Sequence, residues 1–250
     1  AERVRNQSNR RLNLMTDQET LFDFLSVPLG DSDSILKRFA ALPGAIHRGS
    51  GDRQFVFIKG HRANRIVLVA HADTVWHTGA YRTQKPDMQF EDGIITNRNG
   101  GLGADDRAGC AIVWLLRDMG HSILITNGEE KTGVGSYWLM EEHQDIRDEI
   151  NDRSSFALEL DRRLGTEYIC YEVGTRAFQD YIEKSTGYTE SLTGGFTDIC
   201  VICDKICGVN LSIGYYMAHS EREYLVYPEW QNSLDLCRKW LKKELPRFLR

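Results

Sequence analysis

The sequence predicts an α/β fold in which a mixed, mostly parallel central sheet is flanked by helices. Apolar runs that are often β-branched alternate with helical patterns, and four of these runs stop at polar residues. The four runs are Ile66–Ala70, Ile123–Thr126, Phe156–Leu160 and Val209–Ile213. Buried parallel strands have such continuous apolar runs, and open α/β sheets carry their chemistry just beyond the carboxyl ends of the strands. We therefore expect the residues that follow these runs to meet at one edge of the sheet.

The composition fits a single globular domain spanning residues 1–250. The 250 residues are 41% hydrophobic and 27% charged, which is enough to bury a full core. The net charge of −5 argues against a nucleic-acid partner, and no apolar run is long enough to span a membrane. The first residues, AERVRNQSNRR, contain no apolar segment typical of a secretory signal, so we expect a cytoplasmic protein. Whether the start at Ala reflects trimming is left open.

The pattern of helices and strands alternates along the chain. Helical patterns at 17–27 and 33–42 each begin with an acidic residue. Strands at 54–59 and 66–70, joined by a polar turn, predict a hairpin. The remaining predicted elements are a strand at 94–96, a helix at 107–116, a strand at 123–126, a helix at 133–144, strands at 156–160 and 168–173, helices at 176–184 and 197–206, a strand at 209–213 and a helix at 230–245.

Three of the six cysteines, Cys200, Cys203 and Cys207, have a spacing that resembles a metal site. A structural zinc site usually has a second pair of ligands at a defined distance, and none is evident here. We therefore predict that the three share one face of a helix and pack against the sheet. Six irregularly spaced cysteines in apolar surroundings are typical of a reducing compartment.

Metal-type ligands follow the apolar runs. They are His71 and Asp73 after the first run, Glu129 and Glu130 after the second, Asp161 after the third and His219 in the loop after the fourth, while Asp105 and Asp106 begin a helix. Histidines and several carboxylates at one sheet edge form the donor set of a hydrolytic site with two metal ions. Trp76, Tyr81, Phe196, Tyr215 and Tyr216 lie near these segments and are either pocket or core residues.

Three segments resemble a known family: His71–Val75 (HADTV), Gly103–Gly109 (GADDRAG) and Gly128–Gly133 (GEEKTG). In order, spacing and strand context they are similar to signatures of the di-zinc exopeptidase superfamily, which includes peptidase T, the tetrahedral aminopeptidases, the bacterial leucyl aminopeptidases and the aminoacylase-like amidohydrolases. The resemblance extends through Glu159–Asp161, Gly194–Asp198 and Ala218–Glu221. It covers about residues 65–225.

The resemblance implies a role for each residue of the site. Asp105 would bridge two zinc ions. His71 and Asp161 would complete the coordination of one ion, and Glu130 and His219 that of the other. Cobalt or manganese would also suit these ligands. Glu129 would be the general base that takes a proton from the attacking water held between the ions. Asp73 would fix the tautomer of the His71 imidazole. Family members also tend to have a cis peptide after the bridging aspartate, here between Asp105 and Asp106.

The chain departs from some relatives in its length. The aminoacylase and peptidase T branches insert a lid domain of roughly a hundred residues between the third and fourth ligand-bearing strands. The short interval from Asp161 to His219 leaves no room for it. We therefore expect the catalytic domain alone, as in the leucyl aminopeptidase branch.

The function that the resemblance implies is metal-dependent hydrolysis of a terminal amide bond in a short peptide, by an aminopeptidase or a dipeptidase. An alternative is a deacylase or carboxypeptidase-like amidohydrolase acting on acylated amino acids. In that case Arg162, Arg163 or Arg176 would hold a substrate carboxylate. A non-catalytic binding protein that retains the fold is a third alternative. The sequence leaves side-chain preference, the physiological metal and the oligomeric state open.

Overall fold

The computed structural model describes residues 15–76 and 83–250. Their central feature is an eight-stranded sheet with the strand order β1-β2-β6-β3-β7-β10-β8-β9. These strands are β1 (Ala45–Ser50), β2 (Arg53–Ile58), β3 (Val67–His71), β6 (Ser122–Thr126), β7 (Ala157–Arg162), β8 (Glu167–Ile169), β9 (Thr189–Glu190) and β10 (Gly208–Ser212). The middle of the sheet, β6-β3-β7-β10, is parallel, whereas β1, β2 and β6 pair in antiparallel fashion. The predicted fold class is therefore confirmed.

Helices cover both faces of this sheet. They are α1 (Asp17–Leu25), α2 (Ser32–Ala40), α3 (Ala104–Leu116), α4 (Val134–Glu142), α5 (Gln144–Arg153), α6 (Arg176–Thr186), α7 (Ile199–Ile202) and α8 (Tyr227–Trp240). Among the helices of the described residues, none combines the length and the apolar content needed to cross a bilayer.

Strand β3 is apolar at its first four positions and ends at His71. All five of its residues are buried. Leu68 and Ala70 face the larger apolar cluster together with α1, α2 and α3, whereas Val67 and Val69 face a second cluster with α4, α5 and α7. Side chains alternate between the two faces of a strand, so the covering of both faces explains the continuous apolar run that precedes His71.

A second, smaller sheet lies beside the carboxyl ends of the central strands. Its order is β11-β12-β5-β4, and all of its pairings are antiparallel. Its strands are β4 (Met88–Glu91), β5 (Ile94–Asn97), β11 (Tyr215–Tyr216) and β12 (Tyr224–Val226). The loop between β11 and β12 contains His219, so this sheet positions one of the predicted ligands.

Two predictions about local structure were wrong. Strands β2 and β3 do not form a hairpin, because β6 lies between them and pairs with both. The helix predicted at 197–206 is limited to α7, because the backbone leaves the helical region at Cys203. Cys207 therefore lies outside the helix, and its N–H donates to the carbonyl of Phe248 at 3.0 Å. Cys203 and Cys207 are buried, as predicted, whereas Cys200 is half-buried, and all six cysteines are free.

Candidate active site

The ends of three parallel strands bring most of the predicted site together. In the sheet His71 pairs with Thr126, directly before the turn that carries Glu129 and Glu130. Val69 pairs with Glu159, which puts His71 and Asp161 at the same level on neighbouring strands. The His71 Nε2 atom is 3.6 Å from Asp161 Oδ2. The register of the sheet therefore assembles ligand-type residues that are far apart in sequence.

Asp105 lies at the centre of the site, and its two carboxylate oxygens face different imidazoles. Oδ1 is 3.2 Å from His71 Nε2, and Oδ2 is 3.2 Å from His219 Nε2. Glu130 Oε2 lies 3.0 Å from the same His219 nitrogen. The five predicted ligands thus form two groups that share Asp105: His71 with Asp161, and His219 with Glu130.

The backbone around Asp105 is shaped to present this side chain. Asp105 and Asp106 have non-helical backbone angles, so the regular part of α3 follows them, and the peptide bond between them is cis, as the resemblance implied. Glu223, which the sequence analysis missed, is fully buried and accepts hydrogen bonds from the N–H groups of Gly103 at 2.6 Å and Asp105 at 3.1 Å. Burial raises the pKa of Glu223 to about 7.

Asp106 is buried next to the site and binds backbone groups. Its two oxygens accept hydrogen bonds from the N–H groups of His71 at 3.1 Å and Gly109 at 3.0 Å. A Cβ atom at Gly109 would lie 2.2 Å from the Asp106 carboxylate and 2.0 Å from the carbonyl oxygen of Leu160, so glycine is required there. Because both oxygens are held by backbone donors, Asp106 is a poorer candidate for a ligand than Asp105, although it lies near His71 and Asp161.

Asp73 joins the two halves of the site. Its Oδ1 lies 3.4 Å from His71 Nδ1, on the far side of the imidazole from Asp105. Its two oxygens also accept hydrogen bonds from the N–H groups of Glu129 and Glu130, each at 3.2 Å. One carboxylate therefore lies against the His71 imidazole and holds the backbone of the acidic turn.

Asp161 is held by groups from three other segments. The side chain of Asn210 on β10 makes two hydrogen bonds with the Asp161 backbone, at 3.0 and 2.9 Å. The Tyr215 hydroxyl donates to Oδ1 at 3.2 Å, and the Thr197 hydroxyl donates to Oδ2 at 3.3 Å. Tyr215, one of the aromatic residues considered for a pocket, is buried, contacts Asp161 and also lines the cavity beside Asp105.

The electrostatics indicate a need for positive charge. Burial raises the pKa of Glu129 to about 10 and that of Asp161 to about 7. Hydrogen bonds to Asp105 and Glu130 raise the pKa of His219 to about 11. Burial by itself lowers the pKa of His71, but the charge of Asp161 and the bond to Asp105 raise it well above its usual value. In the absence of a metal, the raised pKa values keep protons on several of these closely spaced groups. A bound cation would stabilise the charged carboxylates in their place.

The donor set fits zinc. Two ligand atoms that are each about 2.0–2.2 Å from one zinc ion at a tetrahedral angle lie about 3.3–3.6 Å apart. The separations of 3.0–3.6 Å within the two groups are close to this range. The Oε1 atom of Glu130 is buried and lacks a hydrogen-bond partner within the described residues. Zinc, cobalt and manganese all bind imidazole nitrogen and carboxylate oxygen.

Of the aromatic residues considered for a pocket, Phe196 lines the cavity beside Asp105 and is 39% exposed. Tyr216 stacks on Tyr224 instead, with ring centroids 5.0 Å apart. Trp76 packs on Gly101. Tyr81 lies outside the described residues.

The fold is shared with known peptidases. A tripeptidase from Staphylococcus aureus has a TM-score of 0.67 at 13% identity, covering 91% of this chain and 98% of that one. The aminopeptidase PepT from Bacillus cereus has a TM-score of 0.64 at 14% identity, with the same coverage. The TET1 peptidase of Pyrococcus horikoshii has a TM-score of 0.63 at 14% identity, covering 88% of this chain and 98% of that one. Neither a scan of protein-family models nor a search of curated proteins gives a match. The implied similarity is therefore confirmed for the fold.

Proposed function

We propose that this chain is a metal-dependent exopeptidase that hydrolyses a terminal amide bond of a short peptide. The observation that carries the proposal is the position of Asp105, whose two oxygens each lie 3.2 Å from a different imidazole. A carboxylate that faces two nitrogen donors in this way is suited to bridge two metal ions. The shared fold with an aminopeptidase and a tripeptidase supports the same class of reaction.

In this proposal His71 and Asp161 hold one zinc ion, Glu130 and His219 hold the other, and Asp105 contacts both. Two such ions would supply Lewis acidity toward the scissile carbonyl and a source of hydroxide at neutral pH. Their positive charge would also lower the pKa of Glu129 and leave its carboxylate free to accept a proton.

Glu129 is the proposed general base. Its Oε2 lies 3.9 Å from His71 Nε2, and its backbone N–H is fixed by Asp73. The side chain is therefore beside the two ligand groups and is not central to either. Glu129 would take the proton of the attacking water and then return it to the leaving amine.

We also propose that the chain acts as one catalytic domain without an inserted lid. The segment between Asp161 and His219 supplies β8, β9 and β10 to the main sheet. In the same segment α6 packs on α8, and α7 packs on β7 and β10. This packing supports the argument from the short interval between the two ligands.

A panel of substrates tests the proposed function. The zinc-loaded protein should hydrolyse unblocked dipeptides and tripeptides, and a chelator should abolish the activity. N-acetylated peptides distinguish an aminopeptidase, which needs the free amine, from a deacylase, which hydrolyses N-acyl amino acids. If the protein binds zinc and hydrolyses no member of the panel, the alternative of a non-catalytic binding protein is favoured.

A further inference from the structure

A cavity of about 290 Å³ opens beside Asp105. Four of the proposed ligands and the proposed base line it. Arg163, Tyr171, Phe196 and Met217 also line it. The volume lies just below the usual range for small-molecule sites, about 300–1,000 Å³, so the cavity suits a ligand of a few residues at most.

Two successive arginines line this cavity, and they have different surroundings. Arg162, the last residue of β7, is buried. Its guanidinium donates to the Glu167 carboxylate at 3.1 Å, to the Ser191 hydroxyl at 2.5 Å and to the Thr193 carbonyl at 2.9 Å. Arg162 therefore anchors the loop at 191–193, and its charge is already balanced.

Arg163 is exposed, and its guanidinium has no hydrogen bond or ion pair with any residue of the described ranges. Arg163 follows β7 in a bend and lines the same cavity as Asp161. Its backbone is fixed there, because its carbonyl accepts a hydrogen bond from the Ser212 hydroxyl at 2.6 Å. The cavity thus has a positioned cation without a partner.

The other groups of the wall have assigned partners. Asp105, Glu130, Asp161 and His219 contact one another as proposed ligands, and Glu129 is the proposed base. Among the described residues that line the cavity, Arg162 and His219 already have acidic partners. Arg163 is therefore the cationic side chain that could contact a bound substrate. A guanidinium presents two parallel N–H groups that match the two oxygens of a carboxylate.

We propose that Arg163 binds the substrate carboxylate, so that the substrates are small molecules with a free carboxylate close to the scissile amide. This inference rests on the proposed function and narrows it. Dipeptides and tripeptides meet the requirement through their C-terminus, and N-acyl amino acids meet it through the same chemical group. Long peptides place their terminal carboxylate too far from the scissile bond at the amino end.

Paired substrates test the role of Arg163 in turnover. The dipeptide Ala-Leu is compared with Ala-Leu amide, and N-acetylleucine with N-acetylleucinamide, on zinc-loaded wild type, Arg163→Gln, Arg163→Lys and the control Arg176→Gln. Arg176 is exposed on α6 and pairs with Asp180 at 2.8 Å. Wild type and the control should prefer the free acid in kcat/KM by about 10- to 100-fold, the range for a hydrogen bond to a charged group. Arg163→Gln should lose this preference, and Arg163→Lys should keep part of it.

A binding measurement separates this inference from the proposed function. The probe is a ketomethylene isostere of Ala-Leu, which cannot be hydrolysed, as the free acid and as the primary amide. Calorimetry should give a Kd at least about 10-fold lower for the acid with wild type, and equal values with Arg163→Gln. Equal values with wild type, or a preference that persists in Arg163→Gln, overturn the inference. If the preference depends on Arg163 and no substrate is hydrolysed, the inference stands and the exopeptidase proposal fails.

Discussion

The carboxylate of Asp73 accepts a hydrogen bond from the backbone N–H of Glu129 at 3.2 Å. The same oxygen lies 3.4 Å from the Nδ1 atom of His71. A residue outside the proposed ligand set thus contacts both a proposed ligand on β3 and the proposed base in the turn after β6. The positions of the ligand and the base are therefore coupled through one side chain.

Replacing Asp73 with Asn should weaken zinc binding. The amide has one acceptor oxygen, and its NH2 group cannot accept the second backbone hydrogen bond or orient the imidazole. Loss of such a partner typically costs about 10–100-fold in metal affinity. Competition with a chromogenic chelator measures the change, and Asp118→Asn, whose side chain is 88% exposed, is the control. Equal zinc affinity in Asp73→Asn and the control would contradict the positioning role.

Replacing Asp105 with Ala should release both ions, because its oxygens face both ligand groups. Wild type dialysed against limiting zinc should retain two ions per chain, and the variant should retain fewer than one. Elemental analysis gives the stoichiometry, and circular dichroism verifies that the variant is folded. Two tightly held ions in Asp105→Ala would mean that the bridging assignment is wrong.

Glu129 and Glu130 are adjacent, but their variants should behave differently. Glu129→Gln keeps the size of the side chain and removes its basicity, so it should retain both metals while turnover falls by at least about 10²-fold. Glu130→Gln should lose one metal together with activity, because Glu130 lies 3.0 Å from His219. Metal content and kcat are measured on the same samples. Metal loss in Glu129→Gln, or full turnover, would reverse the two roles.

Zinc binding at pH 7 should release protons. Without metal the pKa values of Glu129 and His219 are about 10 and about 11, so both groups are protonated at this pH. Ligands must lose their protons to bind metal, and nearby cations lower the pKa of Glu129. Calorimetry in buffers of different ionisation enthalpy should show about two or more protons released per chain. A binding enthalpy that is the same in all buffers would mean that no protons are released and would contradict the proposed ligand set.

Stability should fall in mild acid because of His121, which is distant from the ligands. Its Nδ1 accepts the N–H of Ile66 at 3.3 Å, and its Nε2 lies 3.1 Å from the carbonyl of Leu241. Burial lowers the pKa of His121 to about 4. The unfolded chain, with a histidine pKa of about 6.5, therefore binds a proton between pH 6.5 and 4 that the folded chain does not bind.

Because of His121, the free energy of unfolding should be about 2 kcal/mol lower at pH 5 than at pH 7.5. Above pH 6.5 both states leave this histidine unprotonated, so its burial costs no stability there. Urea denaturation of metal-free wild type, His121→Asn and the control His47→Asn, at an exposed histidine, measures the difference. His121→Asn should show the weaker pH dependence, and His47→Asn should match wild type. The same pH dependence in all three proteins would exclude His121 as the cause.

The sequence predicted which polar residues lie together better than it predicted the order of the strands. His71 and Asp161 follow apolar runs, and parallel strands end at the same edge, so their proximity follows from the pattern. The hairpin of β2 and β3 was wrong because a short polar turn is also compatible with two strands that a third strand separates. The insertion of β6 between them depends on contacts that are distant in sequence.

Glu223 was missed for a related reason. It lies in the polar segment SEREY, where a single acid resembles an exposed loop residue. Only the folded chain shows that it is buried and that it holds the N–H groups of Gly103 and Asp105. Local composition cannot identify a buried acid whose partners are backbone groups more than a hundred residues away.

His219 differs from the other proposed ligands, because it belongs to the small sheet and its side chain is 54% exposed, against 11% for Asp105 and 0% for His71. The ion between His71 and Asp161 would be enclosed by strand ends, whereas its neighbour would be closed on one side by a surface loop. The two ions should therefore exchange with solvent at different rates, the one at His219 leaving first. Loading and unloading of the protein would then follow a fixed order, and a half-loaded form would accumulate under mild chelation.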